Sequence, residues 1–303
     1  MVSSLDNIKI YDCFMFFDET MLLELRLNIL NKHVDFFVVV ESSFYHNGSP
    51  KSFNFNVNDF LDFKNKIIYI KVEQKPFELK KYSSNDINHK NEVDIFNSLL
   101  LDNYQRNNIL KGLQNANLED IIIISDIDEI PNLDNINLSN FNKKFLLFEQ
   151  DLFYYKFNLK HPYLKWYGSK AVKKKNLKQP QEIRNLKSKI YPWWRFDIYL
   201  SKKKTHSMEI VSNGGWHFTN IKNAKSLFKK LSTFAHHTDF ENSNLKEEDL
   251  EHFIKSKILP YDHQLDQSQK NYNSRIKLEK VGNELLPEYL ANNISKYKEW
   301  FQY

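Results

Sequence analysis

Residues 120–131 read DIIIISDIDEIP. Four consecutive isoleucines predict a strand that is buried on both faces, and such strands occur mainly in parallel sheets covered by helices. Upstream lie three further apolar runs and two segments of helical period: strands at 8–16, 36–42 and 66–72, and helices at 19–32 and 92–114. This alternation predicts an α/β fold, in which a mostly parallel central sheet carries helices on both of its faces.

The second half of the sequence has weaker patterns. Residues 145–157 predict one longer β segment, whereas residues 160–205 are basic, aromatic and irregular. Helical period returns over 221–258, and the tail from residue 260 is polar with weak periodicity. We therefore expect a less regular half to follow the parallel layer.

Basic residues are abundant, but few of them are arginines. The chain has 43 basic residues, of which five are arginine and 38 are lysine, and its formal net charge is +5. Lysines spread over a surface mainly provide solubility, whereas nucleic-acid binding gathers charge on one face, so we expect no nucleic-acid partner. An arginine in so lysine-rich a chain indicates bidentate anion binding, which lysine cannot supply. The arginines are Arg26, Arg106, Arg184, Arg195 and Arg275.

Other features of the sequence set its expected environment. The single cysteine, Cys13, excludes a disulfide framework and a cysteine-based zinc site. No apolar window is long enough to span a membrane, and the amino terminus lacks the pattern of a signal peptide. These features predict a cytoplasmic protein and leave peripheral contact with a membrane open.

The strand at 120–131 ends in acidic residues. On an extended backbone, residues two apart point to the same side, so Asp126 and Asp128 can face one ligand. Two carboxylates at the carboxyl edge of a parallel sheet predict a site for Mg²⁺ or Mn²⁺, which could bridge a diphosphate leaving group. The alternative interpretation is a polar strand end whose acids cap the next turn.

Several segments, taken in order, resemble glycosyltransferase family 17, which includes the β-1,4-mannosyl-glycoprotein N-acetylglucosaminyltransferase. The matching segments are IYDCFMFFDETMLLELRLNIL, VVVESSFYHNGSPK, YQRNNI, SDIDEIP, KWYGS and GGWHF. The resemblance implies a GT-A (Rossmann-like) glycosyltransferase fold, a UDP-sugar donor, Mn²⁺ or Mg²⁺ as cofactor, and transfer with inversion.

The resemblance also assigns residues to the donor site. Asp126 and Asp128 fall on the family's metal-binding D-x-D. Arg106 falls where GT-A enzymes often place an arginine near the nucleotide, although pairing with Asp102 one helical turn away is the alternative. Glu41 and Lys51 fall on the stretch that follows the second strand and are expected to contact the donor.

The Gly-Trp-His string at 215–217 is the second focus. Paired glycines let the backbone approach a ligand, and the Trp216 indole can stack on a sugar. His217 is expected either to ligate the metal or to donate to the diphosphate. The alternative is a Gly-Gly turn with a core tryptophan and a structural histidine.

Inversion requires a general base on the acceptor hydroxyl. Asp239 is the first choice, because in the family an acid–aromatic pair follows Gly-Trp-His at similar range, and Glu209 and Glu241 are rivals. His236 or His237 could instead be the late metal ligand.

Further candidates lie in the basic half. Arg184 is predicted to clamp a phosphate or the acceptor, or else to be an ordinary surface arginine. The aromatic segment 191–195 and Trp166 suggest a platform for the acceptor.

Together these features predict a catalytic domain at 1–259, with a nucleotide-sugar half at 1–135, an acceptor half at 136–259 and an extension at 260–303. The predicted activity is metal-dependent, inverting transfer of a sugar from a UDP-sugar to a glycan or glycolipid hydroxyl, with N-acetylglucosamine as the expected sugar. The alternatives are a metal-dependent phosphohydrolase and a non-catalytic binder of glycan or nucleic acid.

Overall fold

A computed structural model describes residues 8–134, 136–192, 194–233, 245–259 and 276–303. The strands are β1 Ile10–Met15, β2 Phe36–Ser42, β3 Ile67–Val72, β4 Ile121–Asp126, β5 Glu129–Pro131, β6 Phe145–Phe148, β7 Gln150–Tyr154, β8 Leu159–Trp166, β9 Lys170–Lys173, β10 Met208–Val211, β11 Gly215–Thr219 and β12 Glu279–Lys280. The helices are α1 Thr20–Leu30, α2 Ile87–Asn107, α3 Ile109–Gly112, α4 Pro180–Arg184, α5 Ala224–Thr233, α6 Glu247–Ser256 and α7 Glu288–Asn292. Short 3₁₀ turns occur at Val57–Phe63, Leu138–Asn140, Lys174–Asn176, Phe196–Ile198, Asn283–Leu285 and Lys298–Trp300.

The larger of two mixed sheets contains seven strands in the order β10-β6-β9-β4-β1-β2-β3. Strands β3, β2, β1 and β4 are all parallel, which confirms the parallel layer predicted for the first part of the chain. Strand β9 is antiparallel to both of its neighbours, β4 and β6. In β1, Met15 pairs with Val40 on one side and with Asp126 on the other, so the carboxyl ends of these strands meet at one edge.

The isoleucines of β4 explain why helices cover both faces of this sheet. Ile121 and Ile123 pack in the same core cluster as the leucines of α1, whereas Ile122 and Ile124 pack in the cluster that contains Leu101 of α2. Alternate side chains of a strand point to opposite faces, so one unbroken apolar run supplies two cores. The helix predicted at 92–114 begins earlier, where Asp86 caps α2, and it breaks at Asn108 before α3.

The second sheet was not predicted. It has five strands in the order β12-β8-β7-β11-β5. The single β segment expected at 145–157 is two strands, because the backbone of Glu149 is bonded to Val211 and Gly214 and the chain passes there from one sheet to the other. The supposedly irregular region at 160–205 begins with β8 and β9, whose lysines hid their strand pattern.

The described part of the tail packs on the rest of the protein. Leu290, Tyr297 and Phe301 belong to the same core cluster as Phe157 and the leucines of α1, and α7 contacts α1 directly. The remainder of the tail, 260–275, lies outside the described residues. Within the described ranges, no helix combines the length and the hydropathy that crossing a membrane requires.

Candidate active site

The acidic turn between β4 and β5 is held from behind by a buried arginine. Arg26 lies off the apolar stripe of α1 in sequence, yet it is fully buried and forms a bidentate pair with Asp12 of β1 at 2.7 and 2.6 Å. Its Nη1 donates to the backbone oxygens of Asp126 (3.1 Å), Ile127 (3.3 Å) and Glu129 (2.7 Å). Its fixed fork of donors therefore sets the path of the turn.

Glu129 is the centre of the side-chain network in front of this turn. Its buried carboxylate accepts hydrogen bonds from Trp166 Nε1 (2.6 Å), Arg184 Nη1 (2.9 Å) and the backbone N–H of Asp126 (2.7 Å). A Cβ at Gly168 would lie 2.1 Å from Glu129 Cδ, so only glycine permits this approach. A buried carboxylate that accepts hydrogen bonds from these three donors is fixed in position.

Two arginines converge on Asp126. Arg106 Nη2 donates to Oδ1 at 2.9 Å and Arg184 Nη2 donates to Oδ2 at 2.8 Å. Burial alone would raise the pKa of Asp126, but Arg184 and Arg106 outweigh burial and hold it well below its ordinary value. Arg106 also binds Asp102 at 2.9 Å, so the helical pair and the contact with the acidic turn coexist.

Arg184 is not a surface arginine. Burial disfavours its charge, but Asp126 and Glu129 raise its pKa further above the ordinary value. Lys170 Nζ donates to the backbone oxygens of Arg184 (2.6 Å) and Leu186 (2.7 Å), which fixes the carboxyl end of α4. Burial, aided by the charge of Arg184, lowers the pKa of Lys170 to about 7.

Pairing of β5 with β11 brings the Gly-Trp-His string to the acidic turn. His217 lies opposite Glu129 in the ladder, and its Nε2 is 3.6 Å from Asp128 Oδ2. Burial alone would raise the pKa of Asp128, but the neighbouring His217 lowers it below its ordinary value. The His217 ring packs against the Trp166 ring at 4.9 Å between centroids.

Gly215 and Trp216 have structural duties in this ladder. Gly215 has φ of +130°, and a Cβ there would lie 2.2 Å from the backbone oxygen of Ile130. The Trp216 indole N–H donates to the backbone oxygen of Leu285 at 2.7 Å. The indole therefore anchors the carboxyl-terminal segment, and its contact with the donor remains a prediction.

Glu41 and Lys51 bind each other. Lys51 Nζ lies 2.5 Å from Glu41 Oε1, and the Lys51 side chain is only 4% exposed. Glu41 also accepts from the backbone N–H groups of Asn54 (2.8 Å) and Phe55 (3.1 Å) and from Tyr69 Oη (2.8 Å). The pair thus closes the loop after β2, and its contact with the donor also remains a prediction.

The remaining candidates are distributed as follows. Asp239, His236, His237, Glu241 and Trp193 lie outside the described residues. Glu209 is exposed on β10, at the edge of the large sheet and three strands away from β4.

A cleft of about 630 Å³ opens beside the acidic turn. Its walls come from α2, α4 and the segment between β8 and β9, and they include Arg106, Asp126, Arg184 and Trp166. Two guanidinium groups and a carboxylate therefore face a space large enough for a small ligand.

The residues at the turn suit a hard divalent cation only in part. Asp126, Asp128 and His217 offer oxygen and nitrogen donors, and His217 Nδ1 is buried without a hydrogen-bond partner among the described residues. Within the described ranges, however, no three His, Cys, Asp or Glu side chains are grouped closely enough to hold a metal by themselves. Mg²⁺-type sites typically use one or two carboxylates and complete their shell with water and substrate phosphates, which fits this donor set.

The sequence model of glycosyltransferase family 17 matches residues 3–300. The chain belongs to glycosyltransferase family 17. The match spans essentially the whole chain, which identifies this member of family 17 as a glycosyltransferase and confirms the resemblance. No curated protein compared with the chain matches it.

Sequence reasoning missed two organising residues of this site. The sequence gives Arg26 no role beyond that shared by all five arginines, and Glu129 enters the prediction only within the family string SDIDEIP. Their signal was arginine scarcity: Arg26, Arg106 and Arg184, three of the five arginines, bind the acidic turn.

Proposed function

We propose that this glycosyltransferase moves N-acetylglucosamine from UDP-N-acetylglucosamine to a glycan hydroxyl with inversion. The observation that carries the proposal is the acidic turn, with Asp126 between Arg106 and Arg184 at the mouth of a cleft. Phosphate oxygens are the anions that an arginine fork binds best.

We further propose that the fold is GT-A. The parallel order β3-β2-β1-β4 supports this, because ligands of such sheets bind at the carboxyl ends of the strands, where Asp126 lies. On this proposal the nucleotide-sugar half is 1–135, the acceptor half is 136–259 and the extension is 260–303, whose described part, 276–303, packs against both halves.

The arginines act on the leaving group. Arg106 and Arg184 share Asp126 in the structure, and a diphosphate bound in the cleft would take over Nη groups that now donate to Asp126. Guanidinium groups held by buried carboxylates are preorganised, so they stabilise developing charge with little rearrangement.

Mn²⁺ or Mg²⁺ would be held by Asp128 and His217, with Asp126 as a further ligand, and when bound it neutralises charge on the departing UDP. Asp128 and His217 are already adjacent, and, despite burial, His217 lowers the pKa of Asp128, which favours the charged carboxylate that a cation binds. Trp166 packs on His217 and fixes the imidazole orientation.

The acceptor hydroxyl attacks the anomeric carbon as the bond to UDP breaks, and a carboxylate takes the hydroxyl proton. Asp239 remains the proposed base. Lys51 and Glu41 would act on the donor through the loop that they close, and Trp216 and Trp166 would contact the sugars.

Membership of the family favours sugar transfer over the two alternatives, phosphate hydrolysis and non-catalytic binding. The test is release of UDP from UDP-N-acetylglucosamine by the full chain with Mn²⁺ present. Asp128→Asn should reduce the rate at least on the order of a hundredfold, because it removes a metal and charge partner. Asp134→Asn, an exposed acid a few residues further along, is the matched control and should keep the wild-type rate.

An unchanged rate in Asp128→Asn contradicts the proposal, as does equal turnover with a chelator replacing Mn²⁺. The anomeric configuration of the product, read by NMR, tests inversion separately. Asp239→Asn should abolish transfer while UDP still binds, and retained transfer would remove Asp239 as the base.

A further inference from the structure

Residues 187–204, KSKIYPWWRFDIYLSKKK, form a segment that the proposed chemistry does not use. The segment follows α4, the helix that carries Arg184, and its first two residues, Lys187 and Ser188, line the cleft. It therefore begins at the wall of the active-site cleft.

This segment exposes large apolar side chains in unusual density. The exposed fraction is 93% for Leu200, 82% for Phe196 and 61% for Trp194, and Ile190 and Tyr199 are also exposed. Single exposed apolar residues are common on proteins, but several together mark a surface that contacts another molecule.

The segment is nevertheless anchored. Tyr191 and Ile198 are buried, and Asp197 accepts from the side chains of Arg195 (2.9 and 2.8 Å) and Lys204 (2.9 Å). Arg195 also lies over the Tyr191 ring. Tyr191 and Ile198 thus anchor the segment to the protein while the neighbouring apolar side chains remain exposed. The exposed apolar set therefore belongs to an ordered surface.

Basic residues flank this apolar set at the two ends of the segment. The segment has five lysines and one arginine against a single aspartate, a net charge equal to the +5 of the whole chain. Lys187, Lys189, Lys202 and Lys203 are exposed at the two ends of the segment. Aromatic and aliphatic side chains flanked by lysines are typical of surfaces that enter the headgroup region of an anionic bilayer.

We propose that the 187–204 segment binds the surface of a membrane rich in anionic lipids, with Phe196 and Leu200 entering the interface and the lysines contacting headgroups. Single-stranded nucleic acid would also attract the charges, but it stacks on aromatic rings and offers little to Ile190 or Leu200. The cleft would then open toward lipid-linked glycans. That implication rests on the proposed function, whereas membrane binding itself does not.

The test is co-sedimentation of the full chain with vesicles of phosphatidylcholine alone or mixed with phosphatidylglycerol. The wild type should bind the mixed vesicles more tightly, and added salt should weaken that binding. Phe196→Ser/Leu200→Ser should bind them on the order of tenfold more weakly or worse, because two apolar groups no longer enter the interface.

The matched control is Leu61→Ser/Leu118→Ser. These leucines are 64% and 68% exposed and precede β3 and β4, so they lie at the opposite edge of the sheet from the cleft. The control should bind like the wild type. Leu200→Ser alone is a second variant whose folding is secure, since its side chain is almost fully exposed, and it should also weaken binding.

Three results would overturn the proposal. They are absence of wild-type binding to mixed vesicles, equal loss of binding in the control and the test variants, and binding of a single-stranded RNA oligonucleotide without vesicle binding. Retained UDP binding in Phe196→Ser/Leu200→Ser separates loss of the membrane surface from loss of the donor site.

Discussion

Two buried glutamates, Glu41 in β2 of the large sheet and Glu129 in β5 of the smaller sheet, are bound by different cations. Lys51 binds Glu41, and the other hydrogen-bond donors to that carboxylate come from the loop after β2 and from β3. Arg184 binds Glu129 and also reaches Asp126 at the cleft. Lys51 thus binds one buried carboxylate, whereas the fork of Arg184 joins buried Glu129 to Asp126 at the cleft.

The largest expected effect separates these two cations. Arg184→Met should reduce UDP release on the order of a hundredfold to a thousandfold, because it removes a charge that faces the leaving group. Lys51→Met should leave the turnover number within a few-fold and act on donor KM through the loop. Steady-state kinetics on both variants tests this, and a wild-type turnover number in Arg184→Met would break the comparison.

The second effect concerns the arginine behind the turn. Arg26→Met should destabilise the protein by about 3–5 kcal/mol, because Asp12 is left buried without its partner. In Asp12→Leu/Arg26→Met, most of that stability should return while turnover stays low, since the backbone oxygens of the turn remain unheld. Urea unfolding and kinetics measure the two parts, and recovery of turnover in the double variant would remove the positioning role of Arg26.

A third pair of variants sharpens the comparison. Trp166→Phe and Tyr69→Phe each delete one donor to a buried glutamate, Glu129 or Glu41, and keep an aromatic ring. Both should lose roughly 1–3 kcal/mol of stability, but only Trp166→Phe should also lower turnover. Equal turnover in the two variants would show that the network at Glu129 does not serve the reaction.

Much of the parallel layer was predictable from sequence. The four isoleucines of β4 predict a sheet that is covered on both of its faces, and Asp126 follows them at the edge where ligands bind such sheets. The resemblance put Asp128 on the D-x-D and left His217 either as a metal ligand or as a donor to the diphosphate; in the structure His217 Nε2 lies 3.6 Å from Asp128 Oδ2. The parallel strand and Asp126 were predictable because they depend on residues near one another in the chain, whereas Asp128 and His217 are distant in sequence and only the resemblance related them.

Features that depend on distant contacts could not be predicted. The chain passes from one sheet to the other at Glu149, whose backbone is hydrogen-bonded to Val211 and Gly214. Hydrophobic periodicity in the sequence does not predict such contacts. Lys170 is buried in a strand because two backbone oxygens satisfy its ammonium group, so composition alone misplaced it at the surface. The burial of Arg26 could not be predicted for the same reason, because it depends on the ion pair with Asp12 and on the backbone oxygens of the acidic turn.

A separate prediction concerns the pH dependence of stability that Lys170 contributes. Its pKa is about 7 in the folded protein, against an ordinary value near 10.5. Below pH 7 the folded and the unfolded protein both carry this proton, so the folded state bears the full free-energy cost of burying a charged lysine. As pH rises above 7, the folded state releases the proton first, and the wild type should gain up to about 1.4 kcal/mol per pH unit relative to Lys170→Met. Unfolding on either side of pH 7 measures this, with Lys111→Met as reference, and a flat difference would contradict it.

We propose that Arg184 and the acidic turn form the site for the donor diphosphate, and calorimetric titration of UDP into the full chain with Mn²⁺ tests this for wild type and Arg184→Met. The wild type should bind UDP. Arg184→Met should bind it more weakly on the order of tenfold to a hundredfold, because one charged hydrogen-bond partner is lost. Equal UDP affinity in the two proteins would contradict it.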